Sequence, residues 1–114
     1  MKILVPISKV PDTTSKIAFV DNNTKFSTDN VQFIMNPTDE WYALTKALEL
    51  KEAQGGEVVV IHAGLADSEQ VIRKALAIGA DAAFRIDMDP TDAYAISVEI
   101  ANHAKTGGYD LVIT

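Results

Sequence analysis

The chain has 114 residues, 47% of them apolar, no cysteine, and 16 acidic against 10 basic side chains for a net charge of −6. That length fits one compact domain, the lack of cysteine excludes disulfides and thiolate metal sites, and the negative balance opposes the counterion release that drives binding to DNA or RNA. No apolar run approaches the ~20 residues of a membrane-spanning helix, and the amino end lacks the basic-then-apolar pattern of a secretory signal. The expectation is a cytoplasmic protein without membrane insertion. A nucleotide remains compatible with the charge, because backbone N–H groups and helix ends hold phosphates with few lysines.

Lys2-Ile3-Leu4-Val5-Pro6-Ile7 is a continuous apolar run rich in β-formers, the pattern of a strand covered on both faces in a parallel sheet. Pro6 has no N–H to give a sheet ladder, which places it at the carboxyl end of that strand. Ser8 to Thr14 reads as a loop. Ile17 to Val20 and Val31 to Met35 read as short strands around the turn cluster Asp21-Asn22-Asn23-Thr24-Lys25, a hairpin-like insertion after the first strand.

Met35-Asn36-Pro37-Thr38-Asp39-Glu40 then combines a helix start with a polar pocket corner. Asn36 suits the N-cap, Pro37 the first helical position, and Asp39 the place of a capping-box acid at the positive end of the helix dipole. The same unpaired N–H groups also suit a phosphate, ribose oxygens or a base edge. From Pro37 to about Gln54, Trp41, Leu44, Ala47 and Leu48 recur at helical spacing, and Gly55-Gly56 ends the helix.

Val58-Val59-Val60-Ile61 is four β-branched residues in a row and predicts a central strand, followed by a tight turn at His62-Ala63-Gly64-Leu65. Asp67 or Ser68 opens a second helix with Val71, Ile72, Ala75 and Leu76 inward, stopped by Gly79. Ala82 to Ile86 is a weaker strand, and Asp87-Met88-Asp89-Pro90 turns the chain. Thr91 or Asp92 caps a third helix with Ala93, Ile96, Ile100, Ala101 and Ala104 inward, Gly107-Gly108 ends it, and a strand begins at Leu111.

Strands alternating with such helices predict an α/β protein with a Rossmann-like three-layer fold: a mostly parallel sheet, right-handed crossovers, helices on both faces and a hairpin insertion after the first strand. Ligands in these sheets sit beyond the carboxyl ends of the strands, where strand order reverses. Here that edge carries Pro6 to Lys9, Asn36 to Asp39, and His62 to Gly64.

No G-x-G-x-x-G follows the first strand and no Walker loop is present. His62 lacks a cysteine or carboxylate partner nearby in sequence and reads as structural, as does His103, which lies on the third helix between inward positions; Asp81, Asp87, Asp89 and Asp92 lack the spacing of a calcium loop and read as turn and cap residues. Trp41 reads as core or interface, and Ser8 has no general base for a hydrolytic triad.

Six segments form a collinear set: Val10-Pro11-Asp12, Met35-Asn36-Pro37 with Asp39-Glu40, Leu48-Glu49-Leu50-Lys51-Glu52, Gly56-Glu57-Val58, Ala75 to Asp81, and Tyr109 to Thr114. In that order they resemble the beta subunit of electron transfer flavoproteins. The resemblance implies a single adenine-nucleotide-binding α/β domain over 1–114, incomplete at its carboxyl end, with no bond-making catalysis of its own. It implies an alpha subunit as heterodimer partner, FAD carried largely by that partner, and electrons passed from flavin dehydrogenases to a quinone reductase or similar acceptor. In such beta subunits a bound AMP is mainly structural, and bifurcating relatives hold a second FAD there. Pro6, Asn36, Pro37, Thr38, Asp39 and Ala63 match the family's nucleotide contacts, and Ser8 joins them from its place at the first strand tip.

Three departures stand beside the match. Ile7-Ser8-Lys9 replaces the family's common Val-Lys-Gln or Val-Lys-Arg, Ala63 stands where some members have cysteine, and the family's glutamine- and aspartate-bearing phosphate loop would lie after Thr114. The alternatives are a universal-stress-type adenine-nucleotide regulator and a partner-binding α/β module without a nucleotide.

Overall fold

The computed structural model describes residues 1–11, 19–20, 25–26, 33–37, 39–89 and 92–114. In chain order the elements are β1 (Lys2–Pro6), β2 (Lys9–Pro11), β3 (Phe19–Val20), β4 (Lys25–Phe26), β5 (Phe33–Met35), α1 (Asp39–Gln54), β6 (Glu57–Gly64), a 3₁₀ turn (Ala66–Ser68), α2 (Glu69–Ile78), β7 (Ala82–Asp87), α3 (Ala93–Gly107) and β8 (Leu111–Val112). Among the described residues no helix is long and apolar enough to cross a membrane.

β7, β6, β1 and β8 lie side by side in that order, and each neighbouring pair is parallel. Because side chains alternate along a strand, β1 and β6 serve two cores at once. Ile3, Val5, Val58 and Val60 turn to one face, where Ala43, Leu44 and Ala47 of α1 and Val71 and Ala75 of α2 bury them. Leu4, Val59 and Ile61 turn to the other, against Ile100 and Ala104 of α3. This is the three-layer α/β arrangement expected from the alternation of elements. Pro6 closes β1, as expected of a residue that cannot donate.

From β1 the chain steps outward through β6 to β7, and α3 then carries it back across the sheet to β8, on the far side of β1. Strand order therefore reverses between β1 and β8, with α1 on one face and α3 on the other.

The amino ends of the strands are tied by a repeated device. Asp81, just before β7, accepts the N–H of Val58 at 2.8 Å and returns its own N–H to the Val58 carbonyl at 2.8 Å. Asp110, just before β8, does the same with Lys2, both bonds being 2.8 Å. Each aspartate follows a glycine by two residues, Gly79-Ala80-Asp81 and Gly108-Tyr109-Asp110, at the end of a helix. Lys51 adds a 2.6 Å ion pair to Asp81, and this bond, with the Val58 N–H behind it, lowers the Asp81 pKa from 3.8. Beside Asp110, the Tyr109 hydroxyl lies 2.6 Å from His103 Nε2, and burial, followed by the Glu57 charge, raises its pKa from 10.0.

Five expectations need correction; the tight turn predicted at His62-Ala63-Gly64-Leu65 is instead the end of β6, whose His62, Ala63 and Gly64 pair with β7. Lys9–Pro11, read as loop, is a strand antiparallel to β5, so the stretch ending at Met35 pairs with the residues just after β1. Phe19–Val20 pairs instead with Lys25–Phe26, a tighter hairpin whose turn residues 21–24 lie outside the described residues. Local turn chemistry located the reversal but not the longer-range pairing. α1 begins at Asp39 rather than Pro37, and Thr38, just before it, lies outside the described residues. The Asn36 carbonyl still accepts the Trp41 N–H at 3.3 Å.

The helices are also less buried than their periodicity predicts. Trp41 is 37% exposed and Leu76 39% exposed, and no residue of α3 is fully buried, with Ala93 and Ala101 on the surface. α3 covers a narrow patch of sheet, since β8 is two residues long and its Leu111 and Val112 are exposed. Asp92 does cap α3 as expected, accepting the Tyr94 N–H at 3.0 Å.

Candidate functional site

The carboxyl ends of β1 and β6, the start of α1 and the 3₁₀ turn form one rim, and it contains two adjoining clefts. One, of about 660 Å³, lies between β1 and β8 and is lined by Pro6, Asn36, Glu40, Lys46, Ile113 and Thr114. The other, of about 570 Å³, is lined by Ser8, Lys9, His62, Ala63, Ser68 and Asp89 among others. Both volumes fall within the ~300–1,000 Å³ of small-molecule sites. Glu40 joins them: its two carboxylate oxygens accept the Ser8 backbone N–H and the Ser8 hydroxyl, each at 2.7 Å.

Of the expected site residues, four lie on this rim, divided between the two clefts. Pro6 and Asn36 share the first, and Ser8 and Ala63 share the second. Asp39 opens α1 above the rim, while Thr38 lies outside the described residues. Pro37 is exposed and lines a separate hollow of about 390 Å³ with Phe33, Trp41 and Val71. Ser8 has committed both its donors to Glu40, so what it offers toward the cleft is a hydroxyl oxygen with lone pairs.

His62 ties the two central strand tips together. Val58, Val60 and His62 share one face of β6, which buries the ring to 3% exposure and brings Nδ1 to 2.9 Å from the Ile7 carbonyl. A carbonyl only accepts, so Nδ1 carries a proton, and whenever the ring holds only that proton Nε2 is an acceptor. Nε2 is buried, with no hydrogen-bond partner among the described residues. Gly64 makes the fit possible: a Cβ there would stand 2.5 Å from Nε2 and 2.8 Å from the Ser68 hydroxyl. Its carbonyl is fixed in turn by Arg85, at 2.9 Å. At the mouth of the cleft the Lys9 ammonium lies 3.4 Å from Asp67 and 4.9 Å from the centre of the Phe33 ring.

In sequence Glu40 reads only as part of the helix-start stretch, and its bond to Ser8 is not foreseeable there, because that partner is 32 residues away and no local pattern announces such a pair. The burial of His62 had a signal, since it continues the inward-facing alternation of Val58 and Val60.

A family model described as Electron transfer flavoprotein domain matches residues 24–114. The curated protein "Electron transfer flavoprotein subunit beta" of Bacillus subtilis (strain 168) is 35% identical over 117 residues, covering 99% of this chain and 44% of the relative. The protein of the same name from Thermoanaerobacterium thermosaccharolyticum is 36% identical over 116 residues, 98% of this chain and 44% of the relative. That from Homo sapiens is 35% identical over 94 residues, 82% of this chain and 36% of the relative. The chain thus spans less than half the length of these relatives.

Proposed function

Because this chain belongs to the electron transfer flavoprotein family, we propose that it works as a beta subunit, paired with an alpha subunit, in moving electrons from flavin dehydrogenases to a respiratory or quinone acceptor. A flavin supplies the redox chemistry, with FAD held largely by the alpha subunit. The role of this chain is to place and orient groups around the cofactor.

The rim takes an adenylate, either AMP or the adenylate part of a second FAD. The observation that carries this is the reversal of strand order between β1 and β8, with Pro6 and Asn36 on the cleft at that point, where ligands of open α/β sheets bind. The donor set fits the group: the first turn of α1 supplies backbone N–H groups and Lys46 a positive charge for phosphate, and Phe33 and Ile96 supply apolar walls for a base. Pro6, Ser8, Asn36, Pro37, Thr38, Asp39 and Ala63 are the proposed contacts. Ala63 is buried at the end of β6, so it acts through its backbone. Ser8 acts in part by holding the β1 tip against Glu40.

Heat-denaturing the full-length protein purified with its alpha partner, and identifying the adenine compounds released, tests this. AMP, or FAD in excess of one per heterodimer, is the expected result; no adenylate beyond the alpha-bound FAD would overturn it. Asn36→Ala in a folded protein should weaken retention of that adenylate.

A further inference from the structure

His62 presents a problem that its tie to Ile7 does not solve. Nδ1 is satisfied by the Ile7 carbonyl at 2.9 Å, yet Nε2 is buried beside the bare backbone of Gly64 without a partner among the described residues. Leaving a buried acceptor unfilled is costly, and such atoms in native proteins call for a water, an ion or a ligand. A metal ion is a poor candidate, since no group of three His, Cys, Asp or Glu side chains able to hold one exists among the described residues.

The surroundings narrow the chemistry. His62, Asp67 and Asp89 bring acceptors to this cleft, and its one cationic side chain, Lys9, is already paired with Asp67 and set over Phe33. Phosphate, an acceptor bearing negative charge, is disfavoured there. A neutral group that donates hydrogen bonds and carries an apolar face fits, and the nucleoside end of an adenylate has both.

We propose that the cleft beside Ser8 and Ala63 receives the nucleoside end of the bound adenylate, and that His62 Nε2 accepts a hydrogen bond from its exocyclic amine or a sugar hydroxyl. The phosphate then lies toward the neighbouring cleft and the first turn of α1. This rests on the adenylate reading above and adds a residue that selects the ligand. For this contact to form, the 3₁₀ turn that carries Ser68 next to Gly64 has to move aside from Nε2.

The test compares AMP with inosine monophosphate, which replaces the amine by an acceptor, and with 2′-deoxy- and 3′-deoxyadenylate, in the full-length protein with its alpha partner. His62→Asn keeps an amide donor where Nδ1 meets Ile7 but has nothing at the position of Nε2. Wild type should prefer AMP over one of the analogues by roughly ten-fold, a lost hydrogen bond to a buried acceptor, and His62→Asn should bind the two within about two-fold. Loss of preference against inosine monophosphate identifies the amine, and against a deoxy analogue the hydroxyl. An unchanged preference in His62→Asn, or none in wild type, overturns the proposal while the adenylate reading stands. Failure of wild type to bind AMP or FAD at this rim overturns both. Should His62→Asn not fold, the ring ¹⁵N resonance of Nε2 in wild type decides: a shift at saturating AMP supports the contact, and an unmoved resonance refutes it.

Discussion

At the amino ends of the strands, Asp81 and Asp110 each close a two-way hydrogen-bonded link with a residue at the start of the neighbouring strand. At the carboxyl ends the polar groups face two clefts, and the buried Nε2 of His62 has no partner among the described residues. The same four strands thus end in two kinds of edge. One satisfies its backbone within the fold and supplies stability. The other leaves hydrogen-bonding capacity over and is braced by a few side chains, Glu40 on Ser8 and His62 on Ile7, which set its shape. Buried polar groups are paired almost everywhere in proteins, so an edge that departs from this is where a ligand is to be sought.

Substitutions should separate the two edges. The largest effect is expected from Gly64→Ala, whose Cβ would overlap His62 Nε2 and the Ser68 hydroxyl. Roughly 1–3 kcal/mol of overpacking should appear as a lower urea midpoint, together with loss of the bound adenylate. Asp81→Ala and Asp110→Ala come next. Both aspartates are exposed enough for water to screen their charges, so about 1 kcal/mol each is expected, with adenylate retention at the wild-type level; reduced retention in a folded variant would break the division between edges. Glu40→Ala should do the reverse, costing under about 1 kcal/mol while releasing Ser8 and weakening retention.

The smallest effect is the pH dependence of the amino edge. The Asp81 carboxyl has a lower pKa in the folded chain than its ordinary 3.8, chiefly through the Lys51 bond. Its contribution is therefore fully present above about pH 4 and lost as pH falls through the lowered folded value. Acid denaturation of Asp81→Asn should show a shallower loss of stability in that window, and parallel curves would remove Asp81 from the account.

Much of this fold was legible because strand and helix periodicities are local. Four β-branched residues in Val58 to Ile61 announce a central strand, and Pro6 marks its own strand end. What was not legible depends on partners far along the chain. Lys9–Pro11 looks like a loop until β5 is beside it, and Glu40 looks like a helix-start acid until Ser8 meets it. The helix faces were overestimated for a related reason: periodicity shows which side of α3 is apolar, not how much sheet lies beneath it. The rim itself followed from topology, since strand tips in a parallel sheet share one edge whatever their separation in sequence.

Amide hydrogen exchange on the full-length protein, with and without AMP, tests the division between the edges most directly. Bound AMP is expected to slow exchange at Ile7 to Lys9, at Asn36 to Glu40 and at Ala63 to Ser68, and to leave Val58, Asp81 and Asp110 unchanged. Protection centred on those last three amides, with none at the rim, would contradict the account.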